Sequence, residues 1–459
     1  MPSDIELAYT ALSAKRINQD KLWAYFDGAQ PLKYSSERLR DLFDAIDVRF
    51  IENWCSAIVN ATLDRMELER FVVQGREDLT DTLNTVLKST ELDLDADDIH
   101  LGALVTGESY LLAWKEPRED GSAETEAYYH DPRMCHIQYQ PDNPREKAWA
   151  AKWWEEEVPD AGSKSKKRIR INLYYPDRLE YYVSTKAPEH VQSGKDFIAD
   201  AEKPPQTNPY NTVPVFHFRR ERRKVIGELT PDILTLQDAV NKLLSDMMVS
   251  SEFAAVTQRW FVTNADAESL KNAANQNLII PAGDKESDET TQVGQFKQAD
   301  LSGFLSAIDN LASAMASISR TPKHYFLAAG GDPSGEALLT QEAPMNKKVK
   351  RIIRRSQNTW QRAGAFLLLL ETGERIDPED IDPVFTPSES VLPKTQADVR
   401  KLNVESGIPL KTTLRREGWT DPQLDQMDED RAAEGAAGTE SLGAALAARE
   451  RAFNAGAVA

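Results

Sequence analysis

Two kinds of side-chain pattern in the 459 residues could do chemistry: a glycine-rich turn that feeds a helix, and two dense runs of positive charge. The turn reads GGDPSGEALL and begins at Gly330. Backbone N–H groups aimed outward at a helix start form a cradle for phosphate. A nucleotide-hydrolysing loop also needs a lysine and then a hydroxyl at the close of its glycines, to reach the phosphates and the magnesium. Here Gly335 is followed by Glu336 and Ala337, which puts a carboxylate where the phosphate would sit. The turn therefore reads as a flexible loop with a strong helix start, Asp332 capping and Pro333 in the first helical position.

The other reactive residue types are scattered. Of the six histidines, His100, His130, His136, His190, His217 and His324, only His130 and His136 come close together, beside Cys135. That trio lacks a fourth ligand, and on a strand residues 135 and 136 face opposite ways, so no metal site is expected. No serine sits in a nucleophile elbow. No catalytic residue and no cofactor site is nominated, and the chain is expected not to be an enzyme.

The basic runs stand against an acidic background of 55 Lys and Arg to 74 Asp and Glu, a formal net charge of −19. Arg219, Arg220, Arg222, Arg223 and Lys224 follow a strand-like segment, and Lys347, Lys348, Lys350, Arg351, Arg354 and Arg355 fall within nine residues. On a helix, Lys347, Arg351, Arg354 and Arg355 share one face, with Val349, Ile352, Ile353 and Trp360 opposite. Tight nonspecific adhesion to nucleic acid exchanges phosphate counterions for Lys and Arg, which an acidic chain is poorly placed to do. Two readings of the basic helix stay open: contact with DNA, or the joining of acidic subunits.

The elements that must position these residues follow from pattern. The length suggests roughly three domains, and 41% hydrophobic with 28% charged residues is ordinary globular composition. Cys55 and Cys135 are too few for a disulfide framework and read as buried thiols of a reducing compartment. The start MPSDIELAY has no signal-peptide pattern, and the densest apolar run, Phe366 to Leu370, is too short to cross a bilayer, so no membrane segment is expected. The first hundred residues read as helices, one capped by serine ahead of Leu39, and one over Ile99 to Thr106 ended by Gly107 before a strand at Tyr110 to Trp114. From Tyr128 to Ser184 a meander of strands is expected, with KSKKRIRINLYYPDRLEYYVS as its clearest hairpin. A long loop follows over residues 186–212, then a strand from Val213 to Phe218.

Two amphipathic helices bracket a mixed segment. In the first, Thr230 is expected to cap, with Pro231 in the first turn and Ile233, Leu236, Val240, Leu243, Leu244, Met247 and Met248 as one stripe. In the second, Leu301, Phe304, Leu305, Ile308, Leu311, Met315 and Ile318 form the stripe. Between them Arg259 to Thr263 and Leu278 to Ile280 read as strands, with a short helix around Ala267 to Ala274. The helix after the glycine turn runs to Leu370 with Pro344 inside it, so a kink or break is expected there. Short helices and an Ala/Gly-rich tail from Ala432 close the chain.

YFDGAQPLKYSSERLRDLF near the start, NPYNTVPVFHFRRE in the middle, SRTPKHYF followed by GGDPSGEALLTQEAP, and GIPLKTTLRREGW near the end stand in an order that resembles the portal proteins of tailed bacteriophages. SGEAL after the glycine turn is the strongest local element. The resemblance implies an α+β, predominantly helical, ring-forming portal fold, usually of about twelve subunits. Residues 1–229 would form its wing, 230–257 the first stem helix, 258–300 the clip, and 301–320 the second stem helix. Residues 321–335 would be the tunnel loop, 336–385 the kinked helix returning to the wing, and 386–459 the crown and tail.

By the same resemblance, Lys323, His324, Gly330, Gly331, Asp332, Ser334 and Gly335 would face the DNA channel, and Pro344 would set the helix kink. Lys347, Lys348, Lys350, Arg351, Arg354 and Arg355 would contact DNA or neighbouring subunits, and Arg259, Trp260, Lys271 and Lys285 would sit in the clip. The implied partners are further copies of the chain, double-stranded DNA of any sequence, the terminase large subunit, a head-tail adaptor, and the major capsid and scaffold proteins, with no membrane. The implied place is the portal vertex of the virion, after assembly in the host cytoplasm. The rival readings are a capsid or scaffold protein without a pore, and a nucleotide-hydrolysing packaging subunit, which the missing loop lysine disfavours.

Overall fold

One long helix ties two apolar cores together, and the rest of the architecture follows from what each core receives. The computed structural model describes residues 2–33, 51–118, 123–158, 166–255, 259–263, 278–281, 292–295, 300–327, 335–386 and 393–417, with single positions up to 431. It contains two compact units, Met1–Ser388 and Glu389–Ala459.

The first unit opens with α1 (Asp4–Phe26), whose start is held by a Ser3 N–H donating to Glu6 Oε2 at 2.9 Å. It continues with α2 (Trp54–Leu63), β1 (Leu68–Val73), α3 (Glu77–Ser89), α4 (Leu92–Thr106), β2 (Glu108–Pro117), β3 (Ala123–His130), β4 (Cys135–Tyr139), β5 (Lys147–Val158), β6 (Lys166–Tyr174) and β7 (Arg178–Ser184). Then come β8 (Phe197–Ala199), β9 (Gln206–Thr207), β10 (Val215–Arg219), α5 (Pro231–Ala255), β11 (Arg259–Thr263), β12 (Leu278–Pro281), β13 (Gln292–Gln295), α6 (Ser302–Ser319), α7 (Gly335–Thr372) and β14 (Ile381–Phe385).

The strands form four sheets. The largest runs β4-β5-β6-β7-β8 with β9 on the edge of β7, all antiparallel; β10-β2-β3 and β1-β14 are smaller antiparallel sheets. In the fourth, β11 pairs with β12 in parallel and with β13 antiparallel. Helices and strands are thus segregated along the chain, the α+β arrangement.

The apolar spacing of α1 explains its double attachment. Ile5, Ala8 and Leu12 lie against Trp149, Trp153, Ile169 and Leu173 of the large sheet, while Leu22 and Tyr25 enter a helical core with Ile58, Val240, Ile308, Met315 and Val349. The second core gathers Phe71, Leu83, Ile99, Phe218 and the rear half of α7 from Trp360 to Leu370. At 1.5 Å per residue α7 is about 57 Å long, enough to serve both cores.

Several expectations hold in detail. Gly107 ends α4 in the left-handed conformation, φ 96°, and β2 follows at once. The β6–β7 hairpin forms, as do β11 and β12 between two long helices. Others change. The loop expected at 186–212 contributes β8 and β9 to the large sheet. Thr230 does not cap α5 with its side chain: its hydroxyl is buried without a hydrogen-bond partner, and only its carbonyl starts the helix, accepting from the Leu234 N–H. In α6, Leu305 and Ile318 are 59% and 50% exposed, because the buried line runs through Ile308, Ala312, Met315 and Ser319. The helix is not broken at Pro344; α7 continues through it, with the proline on its exposed side. The serine cap near Leu39, the helix at 267–274 and the tail from Ala432 lie outside the described residues.

The second unit holds α8 (Pro393–Glu405) and α9 (Leu410–Arg416), which turn on Gly407 at φ 87° and are bridged by Arg400 Nε to Glu417 Oε2 at 3.0 Å.

Candidate functional site

The two basic runs, more than a hundred residues apart in sequence, meet at one buried carboxylate. Arg219 ends β10, and the chain then crosses the C-terminal end of α4: the Arg220 N–H donates to the Gly107 carbonyl at 3.3 Å and the Glu228 N–H to the Leu104 carbonyl at 2.6 Å. The crossing is close enough to require glycine on both sides. A Cβ on Gly107 would lie 2.3 Å from the Ile226 nitrogen, and one on Gly227 would lie 2.3 Å from the Leu104 carbonyl oxygen. Such approaches are open only to a residue without a side chain.

Glu228, thus placed, accepts from Arg220 Nε at 2.7 Å through Oε1 and from Lys348 Nζ at 3.0 Å through Oε2. Lys348 donates also to the Ser319 carbonyl at 3.0 Å. Burial pulls the Lys348 ammonium below the usual lysine range, Glu228 opposes this, and Arg220 and Arg320 push it further down. Arg355 reaches back from α7 to donate to the Arg220 carbonyl. It too is lowered by burial, with Arg351, Arg220 and Arg222 adding to the effect and Glu221 opposing it.

Beside these pairs lies an exposed cationic surface of Arg222, Arg223 and Lys224 from the loop and Lys347, Lys350, Arg351 and Arg354 from α7. Of the α7 residues expected to reach outward, Lys348 does not: its side chain is 9% exposed and committed to Glu228. The helical phase explains this, since Lys348 falls beside Val349 and Ile352 on the inward side while Lys347 and Arg351 fall opposite. Glu228 itself was missed by pattern reading. Its signal is a lone acid inside the apolar run Val225-Ile226-Gly227-Glu228-Leu229.

The segment leading to the glycine turn is fastened down. Arg65 Nη2 donates to the Tyr325 hydroxyl at 2.9 Å and pairs with Glu342 at 3.4 Å, Lys323 pairs with Asp309 at 2.6 Å, and Phe326 packs on Trp54 with ring centroids 5.5 Å apart. His324 Nε2 stands 3.9 Å from Glu342. Gly335 begins α7. Gly330, Gly331, Asp332 and Ser334 lie outside the described residues, as do Lys271 and Lys285. Arg259 and Trp260 are placed on β11 by its pairing.

A second buried glutamate joins other distant segments. Glu108 accepts from Lys15 Nζ at 3.1 Å and Gln19 Nε2 at 3.0 Å through Oε1, and from the Tyr110 hydroxyl at 2.9 Å through Oε2. His217 Nε2 lies 3.1 Å from Oε2, and the Tyr139 hydroxyl 3.0 Å from His217 Nδ1. Burial would raise the Glu108 carboxyl, but His217 and Lys15 outweigh it and hold the group well below the carboxylate range. Burial lowers His217. A neutral ring that donates from Nε2 and accepts at Nδ1 satisfies both partners.

Among the described residues no group of three or more His, Cys, Asp or Glu could hold a metal ion, and no helix is long and apolar enough to cross a membrane. Comparison with known proteins gives a consistent picture. The model of the family described as "Phage portal protein, SPP1 Gp6-like" matches residues 13–436. A portal protein of Mycobacterium phage D29 is 26% identical over 226 residues, 46% of each chain. Another, of Mycobacterium phage L5, is 26% identical over 162 residues, 33% of this chain and 32% of the relative. The matched stretch thus spans less than half the length of either curated relative.

Proposed function

Because the chain belongs to the SPP1 Gp6-like family of phage portal proteins, we propose that its copies close into a ring, of about twelve subunits, at one vertex of a phage capsid. The ring is a passage for double-stranded DNA during packaging and ejection, and a platform for the terminase large subunit and head-tail adaptors. It is built in the host cytoplasm beside major capsid and scaffold proteins and ends in the virion. It performs no chemistry of its own; force comes from the motor that docks on it.

In this reading residues 1–229 are the wing, and α5 and α6 are the stem. The β11–β13 segment, with Arg259, Trp260, Lys271 and Lys285, is the clip, and residues 386–459 are the crown. The tunnel loop is residues 321–335. The fastening of Thr321 to Leu327 onto α2, α6 and α7 supports a loop whose base is fixed while its glycines face the channel. Lys323, His324 and the segment from Gly330 to Gly335 steer the duplex through its phosphates, which carry no sequence information. Pro344 bends α7 on its way back to the wing.

The observation that carries the proposal is the family match over residues 13–436. Negative-stain electron microscopy of the purified full-length chain tests it. Rings with a central opening are the expected result, and monomers alone under conditions that support assembly overturn it.

A further inference from the structure

Most of the cationic surface over Glu228 makes no ion pair among the described residues. Among the described residues no carboxylate pairs with the side chains of Arg222, Arg223, Lys224, Lys347, Arg351 or Arg354, although the whole chain carries 19 more acids than bases. An excess of acid that leaves a basic face uncompensated points to a partner outside the fold.

The opposite charge is concentrated at the other end of α4. Asp93, Asp97 and Asp98 are exposed in its first two turns, with Asp64 and Glu67 alongside from the segment that follows α2. No ion pair neutralises them among the described residues. Their crowding shows in the carboxyl of Asp97, raised by burial and then by Glu67, Asp98 and Asp64, and in that of Asp98, raised by burial and Asp95. Each face also presents one bare apolar side chain, Leu94 at 69% exposure among the acids and Val225 at 50% among the bases.

Distance forbids these faces from serving each other within one copy. The loop that carries Arg222 to Lys224 crosses the C-terminal end of α4, and the acids sit at its N-terminal end. Along α4, Asp98 and Asp93 stand about 14 and 21 Å from Gly107 at the crossing, beyond the screening length of about 8 Å at physiological salt. Two complementary patches at opposite ends of one rigid element are the requirement for a head-to-tail contact, the kind that generates closed rings.

We propose that the basic face over Glu228 docks onto the acidic face at the start of α4 in the next copy of the chain, with Val225 and Leu94 as the apolar points of each half. The proposal rests on the ring reading given above and adds to it the surfaces that meet. A desolvated set of charge pairs fixes register and rejects wrong geometries, which is what a ring of identical subunits needs in order to close.

The test compares three full-length variants with the natural chain by sedimentation velocity and negative-stain microscopy, at about 0.15 M salt. One carries Lys347→Glu, Arg351→Glu and Arg354→Glu; the second carries Asp93→Lys, Asp97→Lys and Asp98→Lys; the third carries all six. All six side chains are exposed, so unchanged circular dichroism confirms folding. Each three-fold reversal is expected to lower ring yield at least about tenfold, and the six-fold exchange, which restores opposite charges across a head-to-tail contact, is expected to recover it. Rings at the natural level in either three-fold variant overturn the contact while leaving the ring reading intact. Failure of the six-fold chain to recover overturns it as well. Intact rings that hold less DNA after reversal of the basic face assign that face to nucleic acid instead. A natural chain that never forms rings removes both proposals together.

Discussion

Glu108 and Glu228 are both buried acids that join segments far apart in sequence, yet their surroundings differ in kind. Glu108 is enclosed: Lys15, Gln19, Tyr110 and His217 use its oxygens, and Tyr139 completes His217. Glu228 is buried just as deeply, but its pairs lead outward. Its partners Arg220 and Lys348 sit at the edge of a larger cationic field that continues to the surface. The same chemical device makes a closed knot in one place and the foundation of an exposed charged face in the other. The difference lies in how many charges remain after the pairs are formed.

The largest effect should come from untying the closed knot. Glu108→Ala leaves a lysine and a histidine buried without their acceptor and is expected to cost about 3–5 kcal/mol, read as a drop in the urea midpoint. Glu228→Ala should cost less, roughly 2–4 kcal/mol, because Arg220 can turn its partly exposed guanidinium to water. Adding Lys348→Met to Glu228→Ala removes the stranded charge and should return most of the loss. If the double variant is as unstable as the single one, the contrast between the two glutamates fails.

Acid sharpens the contrast in the rest of the interior. Burial lowers His100 to about 4 and His130 to about 3, from an unfolded value near 6.5. Their folded values are depressed, so the stability tied to the neutral rings is present above pH 6.5 and is lost as pH falls toward 4 and 3. Each contributes about 1.4 kcal/mol per pH unit across that window. Urea titrations at pH 7, 6 and 5 should show the loss, and His100→Phe should remove its share of the slope while that of His130 remains. Asp97 has the opposite sign: its raised carboxyl makes the folded state less stable as pH rises through it, so Asp97→Asn should stabilise slightly at neutral pH. The smallest change belongs to the open face. Arg222→Gln should move stability by less than about 0.5 kcal/mol, while altering assembly if the face is a subunit contact.

What could be read from residues alone depended on the range of the forces involved. The end of α4 at Gly107, the β6–β7 hairpin and the outward face of α7 at Lys347, Arg351 and Arg354 are local matters of turn chemistry and helical phase. Lys348 departed from that face because one helical step turned it inward toward Glu228. The Glu108 knot was beyond pattern reading, since residues 15, 19, 108, 110, 139 and 217 share no spacing and meet only when α1 lies across β2, β4 and β10. Thr230 failed as a cap for the same reason, its hydroxyl enclosed by tertiary packing. The family resemblance survives these misses because it rests on the order of segments, and the match over residues 13–436 bears it out.

The glycines at 107 and 227 carry one last implication. They hold the crossing of two backbones at a distance no side chain could tolerate, so the path of the loop from Arg220 to Glu228 is set largely by main-chain contact and does not depend on the exposed Arg222, Arg223 and Lys224. Its shape and its charge are therefore independent variables. The three outer cations can be exchanged on an unaltered scaffold, while Arg220, paired with Glu228, cannot.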